Sequence, residues 1–389
     1  MNILPWYRAQ SFQTLVDTSI NLFGDVSAQG STAFYYPVLG PNGKIYGSSL
    51  SATRIIEINP YTHDVCLFGY LGPQNASVGK WYYSFVASNN KIYSTPYGAG
   101  SILEFDPYTH DVCIFGNLGV QGGLRWQSAI LANNGKIYVL PGGDPNIIEI
   151  NPLTHDVCTF GNLGSSAQKW NGAIQALNGN IYGIPFNGSN IIEINPLTHD
   201  VCTFGNFSLS THKWTSSYLM KDGCIVGFPQ SSSTFLFFDP ITHNTSTFGQ
   251  NKFLYGVDYW VHDPVKAGNG KLYMAPSNAS TILEFNPLTF DICTFGNFSG
   301  SGAGIFSNNS LALTGNIYST PASSIQILEF NPFTHDISTF SILSGSPLSF
   351  FTFSILATNG NIYSMPYNNI GISTCMEIIP KHISIKNHP

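Results

Sequence analysis

Charged side chains are scarce in this chain. Only 9% of its 389 residues are Asp, Glu, Lys or Arg, against about a quarter in an ordinary soluble domain. The surface must therefore be covered mainly by Asn, Ser, Thr, Gly and Tyr. The formal net charge of −6 gives no general attraction to nucleic acid or to anionic membranes. We expect neither of them as a partner.

Long apolar runs are missing as well. No stretch approaches the roughly eighteen apolar residues that a membrane-spanning helix requires. The N-terminus has no basic segment followed by an apolar run, so we expect no signal peptide. A sustained 3.6-residue apolar period is also absent, which predicts almost no helix. The seven cysteines include no CxxC pair, so the sequence indicates no zinc site and no cofactor.

The chain is rich instead in one internal repeat. The segment NGKIYGSS recurs as NNKIYSTP, NGKIYVLP, NGNIYGIP, DGCIVGFP, NGKLYMAP, TGNIYSTP and NGNIYSMP. The eight copies follow one another at intervals of 44 to 47 residues. Each copy holds four short runs rich in Ile, Tyr, Val and Phe, separated by Asn-Gly or Pro-containing turns. Such runs are typical of antiparallel strands joined by hairpins.

Four strands in each of eight repeats predict an all-β fold, a single eight-bladed β-propeller of four-stranded antiparallel blades. The strands are named a to d from the axis outwards. We expect an N-terminal extension at residues 1–17, the propeller at 18–380 and a C-terminal tail at 381–389. The N-terminal run SINLFGD, Ser19–Asp25, resembles strand d of the other copies and predicts that the N-terminal strand closes the ring. The alternative is that HISIKNH, which begins at His382, supplies the last strand d.

Residues that recur in every blade are best explained by what every blade needs. The turn between strands c and d carries His63, His110, His155, His199, His243, Phe290 and His335. Histidine tolerates positive φ, so we assign these residues to tight turns. All seven glutamates share one position in strand c, where blade 5 has Phe237. They lie in different blades, so we expect a repeated hydrogen bond or an exposed edge and no acid–base pair.

Five cysteines share one position in strand d, namely Cys66, Cys113, Cys158, Cys202 and Cys293. Equivalent outer positions of neighbouring blades should lie roughly 15 Å apart, given strands about 4.8 Å apart, which is too far for a disulfide. Cys224 and Cys375 have no obvious mates. We expect seven reduced cysteines that act as small packing residues, and hence a reducing site of synthesis.

The asymmetric features lie on one face. The d–a and b–c loops vary between blades, and loops of this kind on a rigid frame suit recognition. Each strand a begins with an aromatic residue, preceded in blades 2 to 5 by Lys or Arg. This half-ring predicts a ligand-binding surface for an anionic group, a glycan or a carboxylate-bearing loop of another protein. Its members are Lys80, Trp81, Arg125, Trp126, Lys169, Trp170, Lys213, Trp214, Tyr259 and Trp260. The alternative is that each indole is a wedge between blades and that the cation lies across it.

Blade 6 differs from the other copies. The segment VDYWVHDPV carries Asp258, His262 and Asp263 around Trp260, with one extra residue and a proline inside the strand. These features predict a bulge or an interrupted ladder. The three polar residues are weak candidates for a catalytic or metal-binding group.

The repeat resembles a known type. Its consensus, close to KW…NGKIYGIP…IIEINP-x-T…FG, is similar to propeller repeats of protists, algae and large DNA viruses, and more distantly to kelch and streptogramin-lyase propellers. The resemblance implies the fold and says little of activity. The lyases have seven blades and a compact His/Glu site, and no such set is identifiable here.

These observations favour a non-enzymatic interaction or structural protein, intracellular or virion-associated. It would be a component of a large assembly such as a virion, and would bind a protein or carbohydrate through the variable-loop face. The alternative is a lyase or hydrolase acting at the channel mouth.

Overall fold

The computed structural model describes residues 12–27, 34–72, 79–119, 125–166, 168–210, 212–250, 260, 263–298, 306–322, 324–342, 351–367 and 374–386. These residues form eight four-stranded antiparallel sheets and one two-stranded sheet. They contain no α-helix, and hence none that could cross a membrane. The predicted eight-bladed propeller is confirmed.

The strands follow the chain in regular order. The N-terminal strands are β1 (Phe12–Val16) and β2 (Ser19–Asp25). Blade 1 contains β3 (Phe34–Leu39), β4 (Ile45–Ser49), β5 (Ile55–Ile58) and β6 (Val65–Phe68), and blade 2 contains β7 (Trp81–Val86), β8 (Ile92–Pro96), β9 (Ile102–Phe105) and β10 (Val112–Phe115). Blade 3 contains β11 (Trp126–Leu131), β12 (Ile137–Pro141), β13 (Ile147–Ile150) and β14 (Val157–Phe160), and blade 4 contains β15 (Trp170–Gln175), β16 (Ile181–Pro185), β17 (Ile191–Ile194) and β18 (Val201–Phe204).

The second half repeats this arrangement. Blade 5 contains β19 (Trp214–Leu219), β20 (Ile225–Pro229), β21 (Phe235–Phe238) and β22 (Thr245–Phe248), and blade 6 contains β23 (Val265–Lys266), β24 (Leu272–Met274), β25 (Ile282–Phe285) and β26 (Ile292–Phe295). Blade 7 contains β27 (Phe306–Leu311), β28 (Ile317–Pro321), β29 (Gln326–Phe330) and β30 (Ile337–Ser341). Blade 8 contains β31 (Phe351–Leu356), β32 (Ile362–Pro366), β33 (Thr374–Ile379) and β2, and the last strand is β34 (His382–Lys386).

The N-terminal strand closes the ring. β2 pairs antiparallel with β33, from Ser19 opposite Ile379 to Asp25 opposite Thr374. β3 of blade 1 also contacts β31 of blade 8, so the circle is complete at the axis. The alternative closure by the segment from His382 is wrong, because β34 pairs with β1 in a separate two-stranded sheet.

The core lies between blades. Strands b and c are buried along almost their whole length, and they pack against the strands of the next blade. Tyr138, Leu140 and Ile147 of blade 3, for example, share one cluster with Trp170 and Ile192 of blade 4. The apolar runs read from the sequence are therefore buried on both faces, which explains why they do not alternate with polar residues.

The c–d turns take the predicted left-handed conformation. The φ angles of His63, His110, His155, His199, His243, Phe290 and His335 lie between 59° and 63°. Phenylalanine replaces histidine in blade 6 without a change of backbone. The turn therefore depends on the Pro-x-Thr segment before it as well as on the residue at this position.

Strand a is bulged near its aromatic residue. The pairing of strands a and b shifts register in blades 1 to 5, 7 and 8, in each case within four residues after that aromatic residue. The bulge was predicted for blade 6 only. In blade 6 the described part of strand a is just two residues long and follows Pro264 directly.

All seven cysteines are free, but most are not packing residues. Cys66, Cys113, Cys158, Cys202 and Cys293 are exposed, and Cys375 is buried. Each of the five lies in strand d opposite the glutamate of strand c, for instance Cys158 opposite Glu149. Strand d is the outer edge of its blade, so this position faces solvent, which corrects the packing assignment.

Candidate functional site

The tryptophans of the predicted half-ring are buried wedges. Trp81, Trp126, Trp170, Trp214 and Trp260 are at most 5% exposed. Each indole N–H donates to a backbone carbonyl 20 or 21 residues further on, those of Ser101, Asn146, Asn190, Thr234 and Thr281. The b–c loop is thereby tied to the start of strand a, as the packing alternative requires.

The lysines of the half-ring are buried too. The Lys169 ammonium donates to the carbonyls of Gly142, Asp144, Gly164 and Ser166 at 2.7–3.2 Å. The ammonium groups of Lys80 and Lys213 likewise donate to loop carbonyls. Burial lowers the pKa of Lys80 and Lys169, and it lowers the pKa of Lys213 to about 8. These lysines hold the d–a loops in place.

Arg125 also anchors a loop, through an ion pair with the carboxylate of Asp144. Its guanidinium pairs with Asp144 at 2.6 Å and stacks over the Trp126 ring at 4.2 Å. Tyr259 lies outside the described residues. For the nine described members of the half-ring the structure gives a packing and loop-anchoring role, and ligand contact by them stays a prediction.

A polar cluster links neighbouring blades on the tight-turn face. We call it the inter-blade cluster. It comprises the strand-c glutamate, the Lys or Asn directly before strand b and the Tyr of strand b in the same blade, and the c–d turn histidine of the next blade. Glu149 accepts from Lys136 Nζ at 2.6 Å and Tyr138 OH at 2.6 Å, and its Oε2 lies 2.8 Å from His199 Nε2. Six glutamates meet a histidine in this way, at 2.5–2.9 Å. The predicted repeated hydrogen bond is confirmed.

Two junctions depart from this pattern. Glu329 of blade 7 meets no histidine among the described residues. It accepts a hydrogen bond from Thr18 Oγ1 at 3.0 Å and forms an ion pair with Lys381 Nζ at 2.9 Å. Between blades 5 and 6, Phe237 replaces the glutamate and Phe290 the histidine, and their rings meet edge to face at 5.7 Å. The two exceptions noted separately in the sequence are therefore one contact. Their joint replacement is the signal by which the cluster could have been found.

The blades also differ at the channel mouth on the variable-loop face. A cavity of about 350 Å³ opens there, bounded by strand a and by the b–c and d–a loops. On one side it is lined by tyrosines of blades 1 and 2, namely Tyr36, Tyr82, Tyr83 and Tyr97. On the other side it is lined by polar residues of blades 3 to 5, among them Gln127, Gln168, Asn171, Thr215 and Gln230. One wall is thus aromatic and the other rich in amides.

The tyrosine wall is tightly packed. Tyr36 stacks on Tyr83 at 4.2 Å and donates its hydroxyl hydrogen to the Tyr83 oxygen at 3.2 Å, and Tyr82 stacks on Tyr97 at 4.8 Å. Burial and the neighbouring hydroxyls raise the pKa of Tyr36 and Tyr82 well above its usual value. These hydroxyls therefore stay protonated at neutral pH and can donate hydrogen bonds.

The amide wall contains both hydrogen-bonded and unpaired polar atoms. Asn171 uses its amide to bond Thr215 Oγ1 at 3.2 Å and its carbonyl oxygen to accept from Gly172 N–H. The Gln127 carbonyl oxygen is buried and has no hydrogen-bond partner among the described residues. A buried acceptor without a partner is costly, so it favours a site that a ligand or water completes.

Besides those of the c–d turns, residues that line the same cavity also have a strained backbone. Three non-glycine residues that line it have positive φ: Tyr36 at 40°, Gln168 at 55° and His212 at 55°. Residues held in this region cost free energy and tend to cluster at binding and catalytic sites. Gln168 and His212 directly precede Lys169 and Lys213, so the buried lysines fix the loops that carry the strained residues.

Of the weak catalytic candidates, only Asp263 lies among the described residues. Its carboxylate is open to the cavity, and the surrounding protein partly desolvates it and raises its pKa. It is close enough to Tyr36 and Tyr83 to raise their pKa values in turn. Asp258 and His262 lie outside the described residues. Within the described ranges, no three His, Cys, Asp or Glu side chains are placed to share a metal ion.

Comparison with known proteins extends the resemblance at the level of the fold. No protein-family model and no curated protein matches the sequence. A solved streptogramin B lyase superposes with a TM-score of 0.58 at 11% identity, over 95% of this chain and 98% of that one. A catalytically inactive virginiamycin B lyase from Staphylococcus aureus with quinupristin gives 0.56 at 12% identity, over 93% and 99%. The extracellular domain of a one component system from B. thetaiotaomicron gives 0.52 at 11%, over 97% of this chain and 60% of that one.

The chain is an eight-bladed β-propeller. Its structural neighbours are propellers of the streptogramin B lyase kind, and at such low identity the similarity concerns the fold alone. Membership of the repeat type of protists and large DNA viruses stays a prediction.

Proposed function

We propose that this propeller is a non-enzymatic binding protein whose ligand is a glycan, free or carried by a partner protein, held at the channel mouth. The observation that carries the proposal is the tyrosine wall facing the amide wall across one cavity of about 350 Å³. Aromatic rings pack against the C–H faces of sugars, and amide groups can both donate to and accept from sugar hydroxyls. The strained loop residues and the unpaired Gln127 oxygen support the same site.

Asp263 is the only Asp, Glu, Lys or Arg among the described residues that line the cavity, so a glycan without strong negative charge fits it better than a phosphate or sulfate. The buried half-ring contributes indirectly under this proposal, because Lys169 and Lys213 fix the loops that carry Gln168 and His212. A component of a large assembly such as a virion could use the same face to hold a glycosylated partner.

Glycan-array binding of the full chain tests the proposal. We expect saturable retention of neutral glycans, and a loss of affinity of about tenfold or more in Tyr83→Ala and in Gln230→Ala, because each removes one wall contact worth about 1.4 kcal/mol. Tyr61→Ala on the tight-turn face and Gln250→Ala near the outer rim are matched controls, since both side chains are exposed and neither lines the cavity. An array without retained glycans, or equal binding by cavity and control variants, would contradict the proposal.

One observation favours an enzyme as the second candidate. Asp263 has a raised pKa and shares the cavity with tyrosine hydroxyls, as a general acid or base requires. The lyases among the structural neighbours motivate quinupristin as one trial substrate, beside a glycan panel. If the chain is a lyase or hydrolase, mass spectrometry should show turnover that Asp263→Asn reduces by about a hundredfold or more. A hydrolase product gains one water, whereas a lyase product does not. Turnover that survives in Asp263→Asn excludes this residue as the acid or base.

A further inference from the structure

The junction between blades 5 and 6 differs from the other junctions in composition. Other blades have Lys or Asn directly before strand b and Tyr within it, whereas blade 5 has Cys224 and Val226. These lie beside the Phe237–Phe290 contact that replaces Glu and His. A whole polar cluster has thus become apolar at one place in the ring. Symmetric features serve the fold, whereas a site for a single ligand must break the symmetry.

A second cavity opens beside this junction, on the tight-turn face away from the channel mouth. It has a volume of about 280 Å³ and is lined by Tyr218, Met220, Pro287, Leu288 and Phe290. Phe290 is held in place from behind, because its ring packs edge to face against Phe248 at 5.4 Å as well as against Phe237. Its outer part stays 38% exposed. The cavity therefore presents a fixed aromatic and aliphatic lining to solvent.

The rim of this cavity is positively charged. Lys221 and Lys266 lie on it and are exposed, and neither forms an ion pair within the part of the chain that the structure describes. Lys266 Nζ lies 5.8 Å from the centre of the Tyr218 ring. The one carboxylate on the rim, Asp222, already accepts a hydrogen bond from Cys224 N–H at 3.0 Å. The rim thus carries two ammonium groups and one carboxylate. This excess of positive charge favours an anion at the opening of the cavity.

We propose that this cavity is a second binding site, specific for a small aromatic anion. The ring of the ligand would lie against Phe290, Leu288 and Met220, and its negative group would face Lys221 and Lys266. Apolar lining with a few charged groups that set orientation is the usual composition of a small-molecule site. The site is independent of the channel mouth, because the two cavities share no lining residue.

Fluorescence titration with anilinonaphthalene sulfonate, an aromatic anion, tests the proposal on the full chain at neutral pH. Phenylnaphthylamine has the same rings without the sulfonate and serves as the neutral comparison. We expect one saturable site that binds the anion about tenfold more tightly than the neutral probe. That ratio is the effect expected of one contact between the sulfonate and a lysine. Absence of saturable binding, or equal binding of the two probes, overturns the proposal.

Three variants locate the site, two with a single substitution and one with two. Leu288→Asp leaves the fold intact, because Leu288 is 73% exposed, and it should abolish anion binding by adding charge and removing lining. Phe290→His restores the residue of the other turns and should weaken binding of both probes. Lys221→Ala with Lys266→Ala should remove only the preference for the anion. Leu313→Asp is the matched control, an exposed leucine of an a–b turn in another blade. If Leu313→Asp reduces binding as much as Leu288→Asp, the probe binds elsewhere and the proposal fails.

Discussion

Replacement of Trp126 by alanine is expected to lower the free energy of unfolding by about 3–5 kcal/mol. The indole is 2% exposed and packs between blades 2 and 3 with Tyr93 and Ile137. Its removal leaves a cavity, an unpaired Asn146 carbonyl and an Arg125 side chain without its ring. Chemical denaturation of the two proteins, with stability taken from the transition midpoint, measures the difference.

Two further variants separate the causes of this effect. Trp126→Phe keeps most of the apolar volume and loses the indole N–H, so we expect a loss of about 1–2 kcal/mol. Leu153→Ala truncates a side chain that is 69% exposed and should change stability by less than about 0.5 kcal/mol. A loss in Trp126→Ala no greater than that in Leu153→Ala would show that the tryptophan is not a wedge between blades.

Removal of one inter-blade glutamate should have the second large effect. Glu149→Ala is expected to cost about 3 kcal/mol, at the lower end for a broken buried ion pair because Lys136 is partly exposed. His199→Asn keeps a residue that tolerates the turn conformation and removes the contact from the other side. In a double-mutant cycle we expect a coupling of about 1–3 kcal/mol between the two positions. His243→Asn is the matched control. His243 contacts Glu193 and not Glu149, so its effect should add to that of Glu149→Ala within about 0.5 kcal/mol.

The same cluster predicts the direction of acid destabilisation. Burial alone would raise the pKa of Glu149, but hydrogen bonds from Lys136, Tyr138 and His199 outweigh it and hold the pKa below its usual value. A carboxylate whose pKa is lowered in the folded state stabilises the fold fully at pH values above the pKa that it has in the unfolded chain, about 4.3 for glutamate. This contribution is lost as the pH falls through the lowered value. Five other glutamates show the same direction, so stability should fall steeply below about pH 4. Glu149→Ala should flatten that fall.

The repeating parts of the fold could be predicted from residues alone. Asn-Gly precedes strand b in five of the eight copies and Ile-Tyr begins it in six, and Ser19–Asp25 resembles strand d closely enough to predict the closing strand. The histidine at the c–d turn was correctly assigned to a left-handed conformation. These features depend on local backbone chemistry, which a short segment carries with it.

The candidate site could be predicted less well from the sequence, because it depends on contacts between segments that are far apart in the chain. Lys169 resembles an exposed cation beside an aromatic ring, and nothing near it in the chain indicates that four loop carbonyls enclose its ammonium. Tyr36 and Gln168 meet at one cavity only after the bulged inner strands are arranged in a ring. The contact of Phe237 with Phe290 was visible as two exceptions, but its meaning requires that one blade's turn lies against the next blade's strand c.

The pairing of β2 with β33 delays closure of the ring until β33 has been synthesised. Asn21 and Glu377, which bond across that pair, are 356 residues apart. β2 therefore leaves the ribosome long before its partner β33 is made. Until β33 is made, β2 lacks its partner strand in blade 8, and open strand edges pair readily with other chains. β2 therefore finds its place only after the blades between it and β33 have been made, and during that interval its unpaired edge can start aggregation.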